Sequence, residues 1–191
     1  MSLRLITAPT DYPVTLAEVK AQCRVDGTDS DGLLNTYIAA ATNYVEQYTG
    51  RALMSQVWEL VLDDFTDAML IPKGPVQSVD SVKYYDSDSI LQTLDTAVYA
   101  ADLVSDPSWV VRVSDQTWPT VAAGVNNVVI RFTCGYATVP EAIRAAIFML
   151  VSQWNDERSS ISSVRQSVTA DGGIPTLPNT VDALLCNYRS F

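Results

Sequence analysis

Apolar positions recur at helical spacing near both ends of the chain and alternate with period two through its middle. Thr15 and Glu18 have the spacing of a capping box, and Val14 with Val19 that of a hydrophobic staple. A short helix through Leu16, Val19 and Cys23 follows, with Gly27 to end it. Asp29-Ser30-Asp31 then opens a longer helix, its acids set against the positive helix end. Leu34, Tyr37, Ile38, Ala41, Val45 and Tyr48 form its stripe, and Gly50 suits the C′ position. Met1–Pro13, ahead of this helical hairpin, reads as an extended arm.

From Ser55 to Asp63 the period shortens: Trp58, Leu60 and Leu62 alternate with Val57, Glu59 and Val61. Further strands are expected at Met69–Ile71, Val76–Tyr85, Ile90–Leu94, Val98–Leu103, Trp109–Val113 and Asn127–Cys134. Pro72, Gly74-Pro75, Asp86–Ser89, Asp106-Pro107, Trp118-Pro119 and Gly124 punctuate them. Val79–Leu94 is the clearest hairpin. The helical period then returns. Thr138 and Glu141 have capping-box spacing with Pro140 in the first turn, and Ile143, Ile147, Leu150 and Trp154 form a stripe. Only Arg144 interrupts the apolar surface before Ser152, so this helix belongs in a core. Its uninterrupted apolar run, Ala145–Val151, is far short of the roughly 20 residues a membrane span needs. Ser159–Pro178 is Ser-rich, with Asp171-Gly172-Gly173 and two prolines; a loop of that length is usually functional or disordered. Val181, Leu184, Leu185 and Tyr188 form a closing amphipathic helix of about two turns, too short to stand without docking.

Helices, strands, then a helix that must be buried predict an α+β fold. The expected form is a small helical bundle carrying an inserted, mostly antiparallel β-sheet subdomain. The expected divisions are a helical hairpin over 1–54, the inserted sheet over 55–134, and the central helix, polar loop and C-terminal helix over 135–191. The helices Thr15–Gly50, Val139–Arg158 and Val181–Tyr188 should share one core.

Charge and composition narrow the function. The net charge is −10, from 22 acids against 12 bases, and the lysines are Lys20, Lys73 and Lys83. That balance argues against gripping nucleic-acid phosphates, which takes clustered Lys and Arg. Cys23, Cys134 and Cys186 are widely spaced without a CxxC pair and read as small buried hydrophobes in a reducing cytosol. No sustained apolar stretch follows Arg4, so no signal peptide is expected. The chain has no histidine, which removes Ser-His-Asp and Cys-His catalysis and nearly every His-containing zinc site.

The remaining candidate chemistry is thin. Asp86-Ser87-Asp88-Ser89 and Asp29-Ser30-Asp31-Gly32 resemble fragments of a calcium loop. The bidentate-Glu position falls on Ala97 or Ala40 and the turn-glycine position on Leu91 or Leu34, so turn and cap roles are expected instead. Asp63-Asp64 would point to opposite faces of a strand. There is no GxxxxGK[ST] and no GxGxxG. No catalytic residues, cofactor or metal are expected, and no enzyme. Trp154, near a charged helix end, suits packing or a subunit contact. Tyr188-Arg189-Ser190-Phe191 supplies residue types enriched at interface anchors.

Thr15-Leu16-Ala17-Glu18-Val19-Lys20, Arg24-Val25-Asp26, Leu33-Leu34 and, most recognisably, Val45-Glu46-Gln47-Tyr48-Thr49-Gly50-Arg51 resemble the opening of the tailed-phage head–tail connector family, also called adaptor or head-completion proteins. Ile71-Pro72 through Pro75-Val76, Ser81–Asp86, Phe132–Tyr136, Val139-Pro140, Trp154, Glu157-Arg158, Val181–Leu185 and Tyr188-Arg189 continue the resemblance over nearly the whole chain. It implies a structural virion protein at the capsid portal vertex, assembled in the host cytoplasm. Copies would form a closed ring beneath the portal protein and extend the channel through which DNA passes without sequence-specific binding. The ring would dock a tail-side stopper or completion protein, with no membrane involved. Trp154, Arg158, Tyr188, Arg189 and Phe191 are then the candidate portal or ring contacts. The alternatives are a small-molecule or peptide-binding module, using Trp109, Trp118 and the tyrosines of the sheet, and a carboxylate-dependent hydrolase.

Overall fold

In the strand Val128–Cys134, residues 128, 130, 132 and 134 are buried while 129, 131 and 133 are not, the pattern of a strand with one face on a core. The computed structural model describes residues 1–159 and 179–189, the side chains of 157–159 and 179 excepted. Its strands are β1 (Ser2–Thr7), β2 (Gln56–Leu62), β3 (Ala68–Ile71), β4 (Val76–Tyr85), β5 (Leu91–Thr93), β6 (Tyr99–Asp102), β7 (Ser108–Arg112) and β8 (Val128–Cys134). The helices are α1 (Leu16–Cys23), α2 (Asp31–Thr49), α3 (Glu141–Ser159) and α4 (Asn179–Leu185), and a 3-10 turn, Cys186–Tyr188, follows α4. The fold class is α+β, with antiparallel sheets.

The chain divides into two units, one of Met1–Thr10 with Gly50–Ala137, the other of Asp11–Thr49 with Thr138–Arg189. The extended arm thus contributes β1 to the strand unit, paired antiparallel with β2. Where one inserted sheet was expected there are two. One has five strands in the order β1-β2-β8-β4-β5, the other three in the order β3-β7-β6. They share a core built from Leu60 of β2, Val76 and Val82 of β4, Ile130 and Phe132 of β8, Met69 and Ile71 of β3, and Val110 of β7. Pro72 and the Gly74-Pro75 pair explain the split. They separate β3 from β4, so the chain changes sheet there and β3 pairs with β7.

In the helical unit α3 contacts α1, α2 and α4, as a central helix should. Ile143, Ala146, Ile147 and Val151 are fully buried, as are Leu34, Ile38, Ala41 and Val45 of α2 and Leu185 of α4. Thr15 caps α1 with the expected box: its hydroxyl accepts from the Glu18 backbone N–H at 3.3 Å and Glu18 Oε2 accepts the Thr15 N–H at 2.8 Å. Arg144, the one charge on the apolar surface, ties this corner down. It donates to Glu18 Oε1 at 2.6 Å, to Glu141 at 3.0 Å and to the Pro13 carbonyl at 3.2 Å.

Two helix ends differ from expectation. α1 stops at Cys23, with Arg24 left-handed at φ 53° and the Val25 N–H bonded to the Lys20 carbonyl at 3.0 Å, before Gly27 is reached. The box expected at Thr138 and Glu141 does not form, because α3 begins only at Glu141 and that carboxylate turns to Arg144 instead. The segment expected as a polar loop, Ser159–Pro178, lies outside the described residues apart from Ser159 in α3. Among the described residues no helix is long and apolar enough to cross a membrane.

Candidate functional site

Of the carboxylates singled out as candidate chemistry, those of Asp31, Asp63, Asp64 and Asp86 are used by the fold. Asp86 Oδ1 accepts the backbone N–H groups of Asp88 at 3.0 Å and Ile90 at 2.9 Å, and its Oδ2 accepts from Gln92 at 2.8 Å. Ser89, at φ 61°, completes the β4–β5 turn. The Gln92 bond, then the backbone bonds, hold the Asp86 carboxyl below its ordinary value. Asp88 offers this turn its backbone only. Asp88→Ala is therefore expected to leave the melting temperature unchanged with or without calcium, whereas Asp86→Ala lowers it. A calcium-dependent stability lost in Asp88→Ala would overturn the turn assignment.

Asp31 takes the Lys20 ammonium at 2.6 Å. Asp63 accepts the Asn126 N–H at 2.8 Å, and Asp64 that of Phe65 at 2.7 Å. No group of three or more His, Cys, Asp or Glu among the described residues is placed to hold a metal ion. The sheet aromatics are likewise engaged in packing. Trp118 stacks on Phe65 with centroids 4.7 Å apart, Tyr84 meets the same ring edge-on, and Lys73 sits 4.7 Å over Trp58.

The face of the five-stranded sheet turned away from the shared core carries an ion-paired row that sequence reading missed. Arg4, Glu59 and Arg131 lie side by side on β1, β2 and β8. Arg131 donates twice to Glu59 Oε1, at 3.0 and 2.6 Å, and Arg4 reaches Oε2. The Glu59 side chain is only 6% exposed, against 67% for Arg4. Burial pushes the Glu59 carboxyl up, but the arginine hydrogen bonds and then their charges pull it, on balance, below its ordinary value. Its stabilisation is therefore present above the unfolded carboxylate value near 4.5 and is lost as pH falls through the lower folded value. Glu18, Asp86 and Asp102 are lowered too and act in the same direction. The melting difference between the parent chain and Glu59→Gln should accordingly be largest near neutral pH and shrink in acid. A difference that does not change with pH would show the row to be neutral packing. Beside the row, a shallow depression of about 360 Å³ is lined by Ser2, Arg4, Val61, Tyr85, Asn126 and Val129. The signal available in sequence was the odd-numbered set of β2 and β8 positions. Pairing Glu59 with Arg131 across strands 72 residues apart needs the register.

The candidate contact residues group at one part of the helical unit only in part. Trp154 is half-buried and meets Tyr37 edge-on at 6.0 Å, a contact between α3 and α2. Arg189 lies 5.1 Å over the Tyr48 ring, and the Tyr48 hydroxyl bonds Asp182 of α4. That bond, with burial, raises the Tyr48 phenol above its ordinary value. Tyr188 is half-buried in the 3-10 turn. The closing helix therefore docks on the chain's own α3 through Val181 and Leu185. Arg158 lies in α3, but its side chain, like all of Phe191, is outside the described residues.

Comparison with known proteins gives a consistent result. The family model described as head completion protein matches residues 14–191. A chain from the neck of an empty gene transfer agent particle, computed with C6 symmetry, is similar with a TM-score of 0.76 and 23% identity, over 100% of this chain and 96% of that one. A chain from the virion of a native gene transfer agent particle, and one from the neck of the native particle computed with C12 symmetry, are each similar at a TM-score of 0.75 and 23% identity with the same coverage. At that identity the likeness establishes a shared fold. No curated protein matches the chain.

Proposed function

The chain belongs to the head completion protein family, and from that membership we propose that it is a structural head–tail connector subunit in the neck of a tailed-phage or phage-like particle. The observation that carries this reading is the extent of the family match, 14–191, which takes in both the helical and the strand unit. The similar chains from gene transfer agent necks, computed with C6 and C12 symmetry, support repeated copies about an axis. On this reading copies form a closed ring beneath the portal protein, continue the DNA channel and dock a tail-side stopper or completion protein. The excess of 22 acids over 12 bases suits a wall that DNA passes without sticking.

The role is mechanical, through shape and contact, and calls for no catalysis and no cofactor. The site of action is the virion at its portal vertex, after assembly in the host cytoplasm. Trp154, Arg158, Tyr188, Arg189 and Phe191 are the proposed portal or neighbour contacts, because Trp, Tyr and Arg anchor interfaces disproportionately. The test is electron microscopy and co-sedimentation of the protein mixed with the portal of its own particle. The expected result is a ring of copies seated on the portal. A monomer that never joins the portal would overturn the reading.

A further inference from the structure

All six residues of β1 are exposed, although β1 is a paired strand of the five-stranded sheet. Leu3 and Leu5 pair with Leu60 and Trp58, so they point to the side of the sheet that carries the shared core. They stay 37% and 44% exposed because that core begins at β2 and none of its members comes from β1. Proteins usually blunt such an edge with lysine, proline or a bulge. Here the one bulge lies between Leu5 and Thr7 and leaves Ser2–Leu5 regular, and Ser2–Thr7 contains no lysine and no proline. The opposite edge of the same sheet, β5, is equally open: Leu91, Gln92 and Thr93 are all exposed, beside exposed Ile90 and Tyr85.

From these two edges we infer that the ring contact is strand addition between copies, β1 of one chain joining β5 of the next. The inference rests on the ring reading above and specifies its interface. A sheet of five antiparallel strands has edge strands running the same way, so a rotated copy extends it by a parallel pair. Such a contact uses different surfaces on the two partners, and this is the kind that closes into a ring rather than a dimer.

The register supplies the alignment. One row of the sheet runs Ser2, Val61, Val129, Lys83, Thr93. The next runs Leu3, Leu60, Ile130, Val82, and its last place is taken by Leu94, whose N–H bonds the Val82 carbonyl at 2.8 Å. The row beyond begins at Arg4, level with the exposed Asp95 that follows Leu94. A copy moved sideways along these rows brings Ser2 beside Thr93 and sets Arg4, whose side chain stays 67% exposed while it bonds Glu59, level with the exposed Asp95. That charge complementarity selects a second copy of this chain as the occupant.

The test is a double variant, Ser2→Cys with Thr93→Cys, both at exposed positions, co-assembled with the portal and mildly oxidised. The two single variants and the parent chain, with its Cys23, Cys134 and Cys186, serve as controls. The expected result is a covalent ladder in multiples of the subunit, ending at the ring size, from the double variant alone. Asp95→Asn, which removes the charge but keeps a side-chain oxygen for the Ala97 N–H that Asp95 accepts at 2.9 Å, should reduce ring yield without changing the melting temperature of the free chain. Dimers from Ser2→Cys alone would reveal a two-fold β1–β1 contact and overturn the inference. Intact rings without a ladder would overturn it while leaving the ring reading standing. Failure to form rings at all, in the parent chain as well, would remove both.

Discussion

Ile147→Asp abolishes the folded helical unit, whereas Met149→Asp on the same helix leaves it intact. Ile147 is fully buried on α3, the helix that touches every other helix of its unit, while Met149 is 40% exposed. The other buried residues of α3 are Ile143, Ala146, Leu150 and Val151, and α2, which packs against α3, buries Leu34, Ile38 and Val45, its buried Thr42 and Thr49 hydroxyls already donating to the Ile38 and Val45 carbonyls. None of those side chains offers a cation or a donor to a carboxylate. The aspartate must stay charged and unpaired or take up a proton, and either route costs several kcal/mol. The lost packing of the isoleucine adds about 2–5 kcal/mol. Domains are stable by only about 5–15 kcal/mol, so the sum removes most or all of that margin. Urea titration followed by circular dichroism at the helix band reads this directly. A cooperative transition at the parent chain's urea midpoint would mean that α3 is not the centre of its unit.

The helix responsible was visible in the sequence because its information is local. An apolar stripe at helical spacing marks a helix, and filling of the remaining faces marks a buried one. The Thr15–Glu18 cap was legible for the same reason, since both partners lie within one turn. β4 was read at its observed bounds, Val76–Tyr85, because Gly74-Pro75 and the Asp86 turn delimit it. Partner choice was not legible. Nothing near Met1–Pro13 says that Ser2–Thr7 pairs with a strand beginning at Gln56, and nothing near Ala68 says that β3 leaves the larger sheet for β7. The Arg4–Glu59–Arg131 row and the Tyr48–Asp182–Arg189 contacts join residues separated by 55 to 134 positions or more, so they exist only once register and docking are set. Trp154 shows the limit from the other side. Its type and its charged surroundings suited packing or a subunit contact, and the structure shows one face packed on Tyr37, a partner 117 positions away that the sequence did not name.

Gly135→Ala is expected to be more damaging than Gly124→Ala or Gly32→Ala, with a cost of about 3 kcal/mol or more. Gly135 follows the last residue of β8 at φ 128°, a backbone region nearly closed to residues with a Cβ, and that strain alone costs about 1–3 kcal/mol. An added Cβ would also lie 2.3 Å from the Met54 carbonyl oxygen and 2.8 Å from the Ser55 nitrogen. Those are backbone atoms, so no side chain can swing aside to relieve the overlap. The position is anchored on three sides as well. The Gly135 N–H donates to the Pro75 carbonyl at 2.8 Å, its carbonyl accepts from Gln77 at 2.8 Å, and the following Tyr136 N–H bonds Leu53 at 3.2 Å. Relieving the overlap means giving up one of these bonds or spreading the chains, which adds an overpacking cost of about 1–3 kcal/mol. Two other glycines separate the terms. Gly124 has a similar φ of 133° with nothing within 4 Å of an added Cβ, so Gly124→Ala carries the strain without the clash. Gly32, in the first turn of α2, has open space and no positive φ, and Gly32→Ala should be neutral or stabilise by up to about 1 kcal/mol. Melting temperatures for the three variants should therefore fall in the order Gly32→Ala, Gly124→Ala, Gly135→Ala, spaced at about 2–4 °C per kcal/mol for a chain of this size. If Gly135→Ala melts with Gly124→Ala, the close approach of Gly135 to Met54 does not limit stability and the end of β8 has room to move.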